Sequence, residues 1–200
     1  MFLDEPREDP AVAALYRGDL DEDGFVMNLT RLWAWRPDVA RAFGELRQAL
    51  GAHTTLTPRE RAVIVCATVS SLGDSYCALA WGRRLAEDSD AGTAAAVLGS
   101  GEPEALTARE KALAAWARQV VRSPNATKAS DVEHLRAAGL SEREVFEATA
   151  LAAFRVAFST VNDALGARPD WQLAAAAPEP VRAVVSYGRE PASAPEVAPE

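Results

Sequence analysis

The longest run of apolar positions in the chain predicts a buried helix near its centre. Between Ala62 and Val69 only Thr68 is polar, so a helix there would have no face left for water. Thr57 and Glu60 have the spacing of a capping box, and Pro58 suits the first helical position, where no backbone donor is needed. The β-branched residues would also suit a strand, but the run has no period of two and is too long for an ordinary strand. The pattern therefore favours a helix.

Apolar residues at helical spacing recur along the rest of the chain and predict an all-α fold. Further helices are predicted at about residues 9–16, 25–33, 37–50, 75–85, 87–101, 107–120, 131–138 and 141–165. In the last of these, apolar residues spaced three and four apart form a seam for a neighbouring helix or a second subunit. The residues of this seam are Leu151, Phe154, Phe158, Val161 and Leu165.

One sequence pattern occurs twice. Residues 106–112 (LTAREKA) echo residues 56–62 (LTPRERA), and both copies precede an apolar helix. This echo is either the trace of an internal duplication or the chance recurrence of a capping box.

Composition divides the chain into one domain and two tails. Residues 1–24 form an acidic N-terminal segment, residues 25–170 form the domain, and residues 171–200 form an Ala/Pro-rich tail. Within that tail, residues 178–188 are predicted to form an arm on a partner and residues 189–200 to be disordered.

Charge and residue usage exclude several classes of function. A net charge of −8 and a pI near 4.9, without a basic stripe, argue against binding of nucleic acid or of an anionic membrane surface. No signal peptide or membrane-spanning stretch is visible, and two cysteines make no disulfide framework, so a reducing cytoplasm is expected. His53 and His134 are the only histidines and lie far apart, so no metal site is predicted. Without a Gly-rich phosphate loop, no cofactor is predicted either.

The turn after the central helix is the best candidate for chemistry. Gly73 ends the apolar run, and Asp74 or Ser75 can cap a second helix that carries Cys77 in its first turn. Unpaired backbone N–H groups and the positive end of the helix dipole favour a thiolate at that position. The alternative is that Cys77 is a small buried apolar residue, which is the commoner fate of an unpaired cysteine.

The order of capped apolar helix, Gly turn and Tyr76-Cys77 at the next helix start resembles the carboxymuconolactone decarboxylase and alkylhydroperoxidase D family. Its peroxidase-related branch typically reads Arg-Glu, an apolar run, then Gly-Cys-x-Tyr-Cys-x-x-x-His. The resemblance extends through residues 32–40 and 161–166 and covers roughly residues 25–170. It implies an all-helical bundle, a homo-oligomer and a small-molecule substrate. In that family the opening helices pack over the catalytic helix, so Trp33 is expected either in the pocket wall or in the plain core.

The chain departs from the family motif at three of its four catalytic positions. Cys77 takes the place of the second cysteine, but Asp74 stands for the first, Trp81 for the histidine and Ala62 for the glutamate. A Cys-x-x-Cys enzyme needs a second thiol to form its disulfide and a proton relay to form its thiolate. Asp74 and Trp81 can supply neither, so the usual peroxidase cycle of this family is not expected here.

Cys66 is the other thiol that could form a disulfide with Cys77. On one continuous helix the two residues would lie about 16 Å apart, although the turn at Gly73 could bring them closer. Cys66 lies in the most apolar run, where a thiol is inert, so this disulfide is not favoured.

Three hypotheses about function follow. The first, which leads, is a thiol-dependent peroxide-reducing enzyme in which Cys77 reacts, Asp74 caps the helix, Tyr76 or Trp81 forms the pocket wall, and an external thiol regenerates the sulfur. The second is a decarboxylase-like enzyme that uses Asp74 as a general acid or base. The third is an oligomeric binding module that has lost catalysis.

Arg155, on the last long helix, is expected to reach solvent.

Overall fold

The computed structural model describes residues 1–195, and over that range it contains helices and no strands, as the sequence predicts. One 3₁₀ turn, Pro124–Ala126, accompanies eleven α-helices in the described range. The α-helices are α1 (Pro10–Asp23), α2 (Asn28–Trp33), α3 (Pro37–Ala52), α4 (Pro58–Leu72), α5 (Ser75–Asp88), α6 (Ala91–Leu98), α7 (Ala108–Arg122), α8 (Ala129–Ala137), α9 (Glu142–Ala164), α10 (Trp171–Ala176) and α11 (Glu179–Val184).

Helix α4 lies at the centre of the fold, as its apolar run predicts. Thr57 caps it through the expected capping box with Glu60, and every residue from 62 to 69 is buried. It packs against α5, α6, α7 and α9. The helix ends at Gly73, whose positive φ of 76° is a left-handed conformation that glycine adopts without strain.

The repeated cap sequence starts two helices that are joined by reciprocal ion pairs. Thr107 caps α7 with the same capping box and nearly the same backbone angles as Thr57. Arg59 Nε lies 2.6 Å from Glu110 Oε1, and Arg109 Nε lies 2.5 Å from Glu60 Oε1. Each copy of the pattern therefore supplies an arginine to the buried carboxylate of the other copy.

Helix α9 lies along α4 and α7 and carries the predicted seam. Phe158 stacks on Trp33 and Phe43, at ring-centroid distances of 5.4 and 5.5 Å, and so joins α9 to α2 and α3. The indole Nε1 of Trp33 donates a hydrogen bond to Asn162 Oδ1 at 2.8 Å. At Phe158 the seam therefore meets neighbouring helices of the same chain.

The C-terminal segment differs from the prediction. Residues 178–188 do not reach out as an arm: α11 packs on α5 and α6, and Val181 is fully buried against Gly82 and Leu98. Within residues 186–192, which we call the C-terminal strap, Arg189 and Ala192 make defined hydrogen bonds where disorder was predicted. Ser75 Oγ accepts the Arg189 N–H and donates to the Arg189 carbonyl, and Ala192 N–H donates to the Pro169 carbonyl. The end of the predicted disordered tail, residues 196–200, lies outside the described residues.

The described helices share one main core, consistent with a single domain. Helix α1 is longer than predicted and packs on α2 and α3. The boundaries at residues 24 and 170 stay a prediction. None of the helices in residues 1–195 combines the length and the apolar character needed to cross a membrane.

Candidate functional site

Cys77 lies in the first turn of α5, and Asp74 is the residue that caps this helix. Asp74 Oδ1 accepts the backbone N–H of Cys77 at 2.9 Å. Asp74 is fully buried, and the Cys77 side chain is only 3% exposed. The predicted helix start is therefore present, but the thiol is more enclosed than the redox hypothesis expected.

Arg155 and Ser159 of α9 contact the Cys77 sulfur. Arg155 Nη1 lies 3.7 Å from Sγ, and the Ser159 hydroxyl lies 4.0 Å from it. Burial raises the pKa of the Cys77 thiol above its ordinary value, and the nearby Asp74 charge raises it further, while Arg155 opposes both effects. At neutral pH the thiol is consequently protonated, and Arg155 is the cation placed to stabilise its thiolate.

The structure corrects the expectation that Arg155 reaches solvent. Its side chain is only 8% exposed, because the face of α9 that carries it packs inward. Its guanidinium stacks over the Trp81 and Phe158 rings at 5.2 and 5.4 Å. One signal in the sequence could have found it: Arg155 is the only charged residue between Glu147 and Asp163, in the otherwise uncharged middle of this helix.

A cavity of about 310 Å³ adjoins this cluster. Its lining is a mixture of arginine, aromatic, aliphatic and small polar residues: Phe43, Gly44, Arg47, Gln48, Leu50, Gly51, Arg61, Trp81, Arg84, Leu151, Phe154, Arg155 and Phe158. Cys77 is not part of the lining, whereas Arg155 both lines the cavity and contacts the sulfur. Arg155 is therefore the link between the thiol and the cavity.

Four arginines surround the cavity, and no acidic side chain within residues 1–195 lines it. Desolvation lowers the pKa of Arg47 below its ordinary value, and the charges of Arg155 and Arg84 lower it further. The Nε atoms of Arg61 and Arg155 are buried without a hydrogen-bond partner in the described structure. The lining of the cavity is consequently positively charged, and two acidic side chains, Glu87 and Asp88, line an adjoining cavity with Arg61 and Arg84.

The predicted binding residues are distributed over three places. Trp81 lines the cavity, and Trp33 lines a smaller cavity of about 130 Å³ that shares Phe43, Arg47 and Phe158 with it. Of the two residues proposed for the pocket wall, Trp81 lines the larger of these two cavities and Tyr76 does not. The Tyr76 ring packs in a separate apolar cluster, and its hydroxyl donates to Asp170 Oδ2. The local pattern could not separate these side chains, because helical spacing alone does not say which neighbour each one meets.

Asp74 lies away from the cavity lining. Its Oδ2 has no hydrogen-bond partner in the described structure, and its charge acts on Asp163. Burial raises the pKa of Asp163 to about 7 together with the Asp74 charge, while Arg189 of the C-terminal strap opposes the shift. Nothing in this arrangement brings the Asp74 carboxylate to the cavity, so its role as an acid or base stays a prediction.

Cys66 does not pair with Cys77. Both cysteines are free, and Cys66 is fully buried in α4, where burial raises its thiol pKa. Over the described part of the chain, no three His, Cys, Asp or Glu side chains are grouped to hold a metal ion.

Comparison with known proteins gives structural neighbours only. No family model matches the chain, and neither does any curated protein. An alkylhydroperoxidase AhpD core from Ralstonia eutropha JMP134, an uncharacterized peroxidase-related protein, is 25% identical with a TM-score of 0.74, covering 86% of this chain and 93% of that one. A peroxidase-related protein from Silicibacter sp. TM1040 is 22% identical with a TM-score of 0.77, over the same shares.

A third neighbour has a different chemistry. The debrominase Bmp8, in a complex with 2,3,4-tribromopyrrole, is 20% identical with a TM-score of 0.68 and covers 84% of this chain and 89% of its own. At that identity the likeness concerns the fold. The fold alone therefore does not determine the reaction.

Proposed function

We propose, from the premise that this chain has the alkylhydroperoxidase D-like fold of peroxidase-related proteins, that it reduces hydroperoxides at Cys77 with an external thiol as reductant. The observation that carries the proposal is the position of Arg155, which contacts the Cys77 sulfur at 3.7 Å and also lines the cavity. A substrate in that cavity would meet the cation that stabilises the thiolate.

The first step is a two-electron oxidation of sulfur. The Cys77 thiolate attacks the terminal oxygen of the hydroperoxide, an S–O bond forms, and the O–O bond breaks. The departing alkoxide takes up the proton that the thiol released, so the products are a sulfenic acid and an alcohol. The Arg155 guanidinium stabilises both the thiolate and the negative charge that develops on the leaving oxygen.

Regeneration requires two molecules of an external thiol. The first condenses with the sulfenic acid to give a mixed disulfide and water, and the second attacks this disulfide and releases Cys77 as a thiol. An internal route through Cys66 is not offered by the structure, since that residue is fully buried and unpaired. A low-molecular-weight thiol fits this role. Because such thiols are kept reduced in the cytoplasm, we also propose a cytoplasmic location.

The test compares the two cysteines. We expect Cys77→Ser to abolish thiol-dependent consumption of cumene hydroperoxide, and Cys66→Ser to retain at least half of it. Mass spectrometry after treatment with a 1,3-dione trap should place the sulfenic acid on Cys77 alone. If the wild-type protein neither consumes the peroxide nor is trapped by the dione, the proposal fails.

A second candidate is a binding module of the same fold without peroxide chemistry. The observation that favours it is the raised pKa of Cys77, which leaves the thiol protonated and slow to react at neutral pH. This candidate predicts that ligands bind in the cavity while Cys77 stays unmodified by peroxide.

A further inference from the structure

The cavity concentrates positive charge in a protein that is acidic overall. The chain has a net charge of −8, yet Arg47, Arg61, Arg84 and Arg155 line this one cavity, and no acidic residue of the described part of the chain joins them in the lining. None of the four forms an ion pair with another described residue. Like charges held together in this way repel one another, and a bound anion would relieve the repulsion.

Two of these arginines carry buried donors that the protein does not use. The Nε atoms of Arg61 and Arg155 are shielded from solvent and have no partner in the part of the chain that the structure describes. Arg155 as a whole is 92% buried, since only 8% of its side chain is exposed. Buried donors without an acceptor are costly, and the absence of a described acceptor means that the protein itself does not neutralise these two guanidinium groups.

Aromatic rings lie beneath three of the four guanidinium groups. Arg84 and Arg155 stack over Trp81 at 4.9 and 5.2 Å, and Arg47 and Arg155 stack over Phe158 at 5.4 Å each. A guanidinium that stacks by its face leaves its N–H groups free around its edge, where they match the two oxygens of a carboxylate. The rings also offer flat apolar walls to the body of the same ligand.

We infer that this cavity binds a compact carboxylate carried on a flat, apolar ring, of the size and charge of benzoate. The volume of about 310 Å³ lies at the lower end of the roughly 300–1,000 Å³ found for small-molecule sites, so a single substituted ring fits better than a large ligand. If the ligand is itself the peroxide that oxidises Cys77, this inference rests on the proposed function. The substrate is then a hydroperoxide that carries a carboxylate on a flat, apolar ring. Binding itself does not require the Cys77 thiol.

The experiment measures binding without reaction, by calorimetry on the full-length Cys77→Ser protein. Benzoate is compared with benzamide, which keeps the ring but lacks the charge, with cyclohexanecarboxylate, which keeps the charge but lacks the flat ring, and with inorganic phosphate. We expect benzoate to bind at least tenfold more tightly than each of the other three.

The neighbouring residues Arg83 and Arg84 of α5 supply a matched pair of variants. Arg84→Gln, whose side chain lines the cavity, should weaken benzoate binding at least threefold. Arg61→Gln, on α4, should weaken it at least tenfold. Arg83→Gln, which removes a surface pair with Glu87 outside the cavity, should leave binding unchanged. Circular dichroism verifies the fold, and the solvent-exposed Arg84 provides a test even if Arg61→Gln unfolds.

The inference would be overturned by binding of benzamide or cyclohexanecarboxylate as tight as that of benzoate, or by equal weakening by Arg83→Gln and Arg84→Gln. Phosphate binding as tightly as benzoate would also overturn it, by reducing the cavity to a simple anion site. Failure of the peroxidase proposal is separate: benzoate bound in this way by a protein that never forms a sulfenic acid upholds the inference and rejects peroxide reduction.

Discussion

Arg155 is the single residue on which the chemistry of the cavity depends. It contacts the Cys77 sulfur, stacks on two aromatic rings and lines the cavity. Burial and Asp74 both oppose the thiolate, so Arg155 supplies the main electrostatic support that the sulfur has. Its charge should therefore decide how readily Cys77 reacts.

We expect Arg155→Met to slow alkylation of Cys77 at pH 8 by about tenfold or more, because loss of a contacting cation raises the thiol pKa further. Arg155→Lys, which keeps the charge, should slow it much less. The measurement is the rate of reaction with iodoacetamide against pH, in a Cys66→Ser background. The curve for Arg155→Met should move to higher pH, and an unmoved curve would show that Arg155 does not stabilise the thiolate.

Asp163 gives a residue-level prediction about pH and stability. Its folded pKa of about 7 lies above the ordinary value of 3.8, so the folded state holds this proton more tightly than the unfolded state does. The resulting stabilisation is fully present below about pH 4 and is lost as the pH rises through 7. On acidification from pH 7 to pH 5, the wild-type protein should gain stability relative to Asp163→Asn.

Urea unfolding at several pH values measures this difference. Asp21→Asn, on the exposed side of α1, is the control and should follow the wild type at every pH. If the free energy of unfolding depends on pH in the same way for the wild type and for Asp163→Asn, then Asp163 is not held protonated by its surroundings.

The sequence predicted the residues whose role is local and missed those whose role depends on packing. Asp74 caps α5 through the backbone N–H three residues on, a relation that spacing alone reveals. The contact of Arg155 with Cys77 joins residues 78 positions apart, and nothing local specifies it. Tyr76 adjoins Cys77 in the chain, yet helical rotation carries its ring into another cluster.

At the scale of elements, the starts of α4, α7 and α9 were predictable because each has a capping box within four residues. The C-terminal helices were not. The position of α11 depends on Gly82, where an added Cβ would lie 2.7 Å from both Leu98 Cδ1 and Val181 Cγ1. Because Gly82 of α5 has no side chain, it leaves a groove that Val181 of α11 fills. The sequence of α11 alone gives no signal of that groove.

The ion pairs between α4 and α7 give a prediction at this scale. Arg109 contacts Glu60, which is largely buried, and also Glu144. Arg109→Met should therefore destabilise the protein by about 2–3 kcal/mol, since it leaves carboxylates in a poorly solvated place without their cation. Chemical denaturation measures the change in the free energy of unfolding.

Arg136→Met is the matched control, because Arg136 also contacts two glutamates, Glu133 and Glu142, but at the surface. Its cost should stay below about 1 kcal/mol. Similar costs for the two variants would contradict the special role of the pairs between α4 and α7.

For the whole molecule, the outer face of α9 is the feature that a single chain does not explain. Phe146, Ala150, Ala153, Phe154 and Ala157 follow one another at helical spacing on this face, and Phe146 is 72% exposed. An apolar strip of this kind on a long helix is typical of a surface that another protein covers. The homo-oligomer expected from the sequence would cover it.

We therefore expect sedimentation to give a mass above that of the 21.3 kDa chain. Phe146→Glu should lower that mass, because it places a charge where a partner helix would pack. Leu20→Glu, at an exposed apolar position of α1, should leave it unchanged. A wild-type protein that sediments as a monomer would reject the oligomer.

Arg59 pairs with Glu110, and Arg109 pairs with Glu60. This reciprocal pairing affects when the chain can fold during its synthesis. A nascent chain that has left the ribosome only as far as α6 carries Glu60 without a cation to accompany it into the interior. The central helix can be enclosed only after Arg109 has emerged, about fifty residues later. Until then we expect the apolar run of α4 to stay exposed on the growing chain, where exposed apolar surface promotes aggregation.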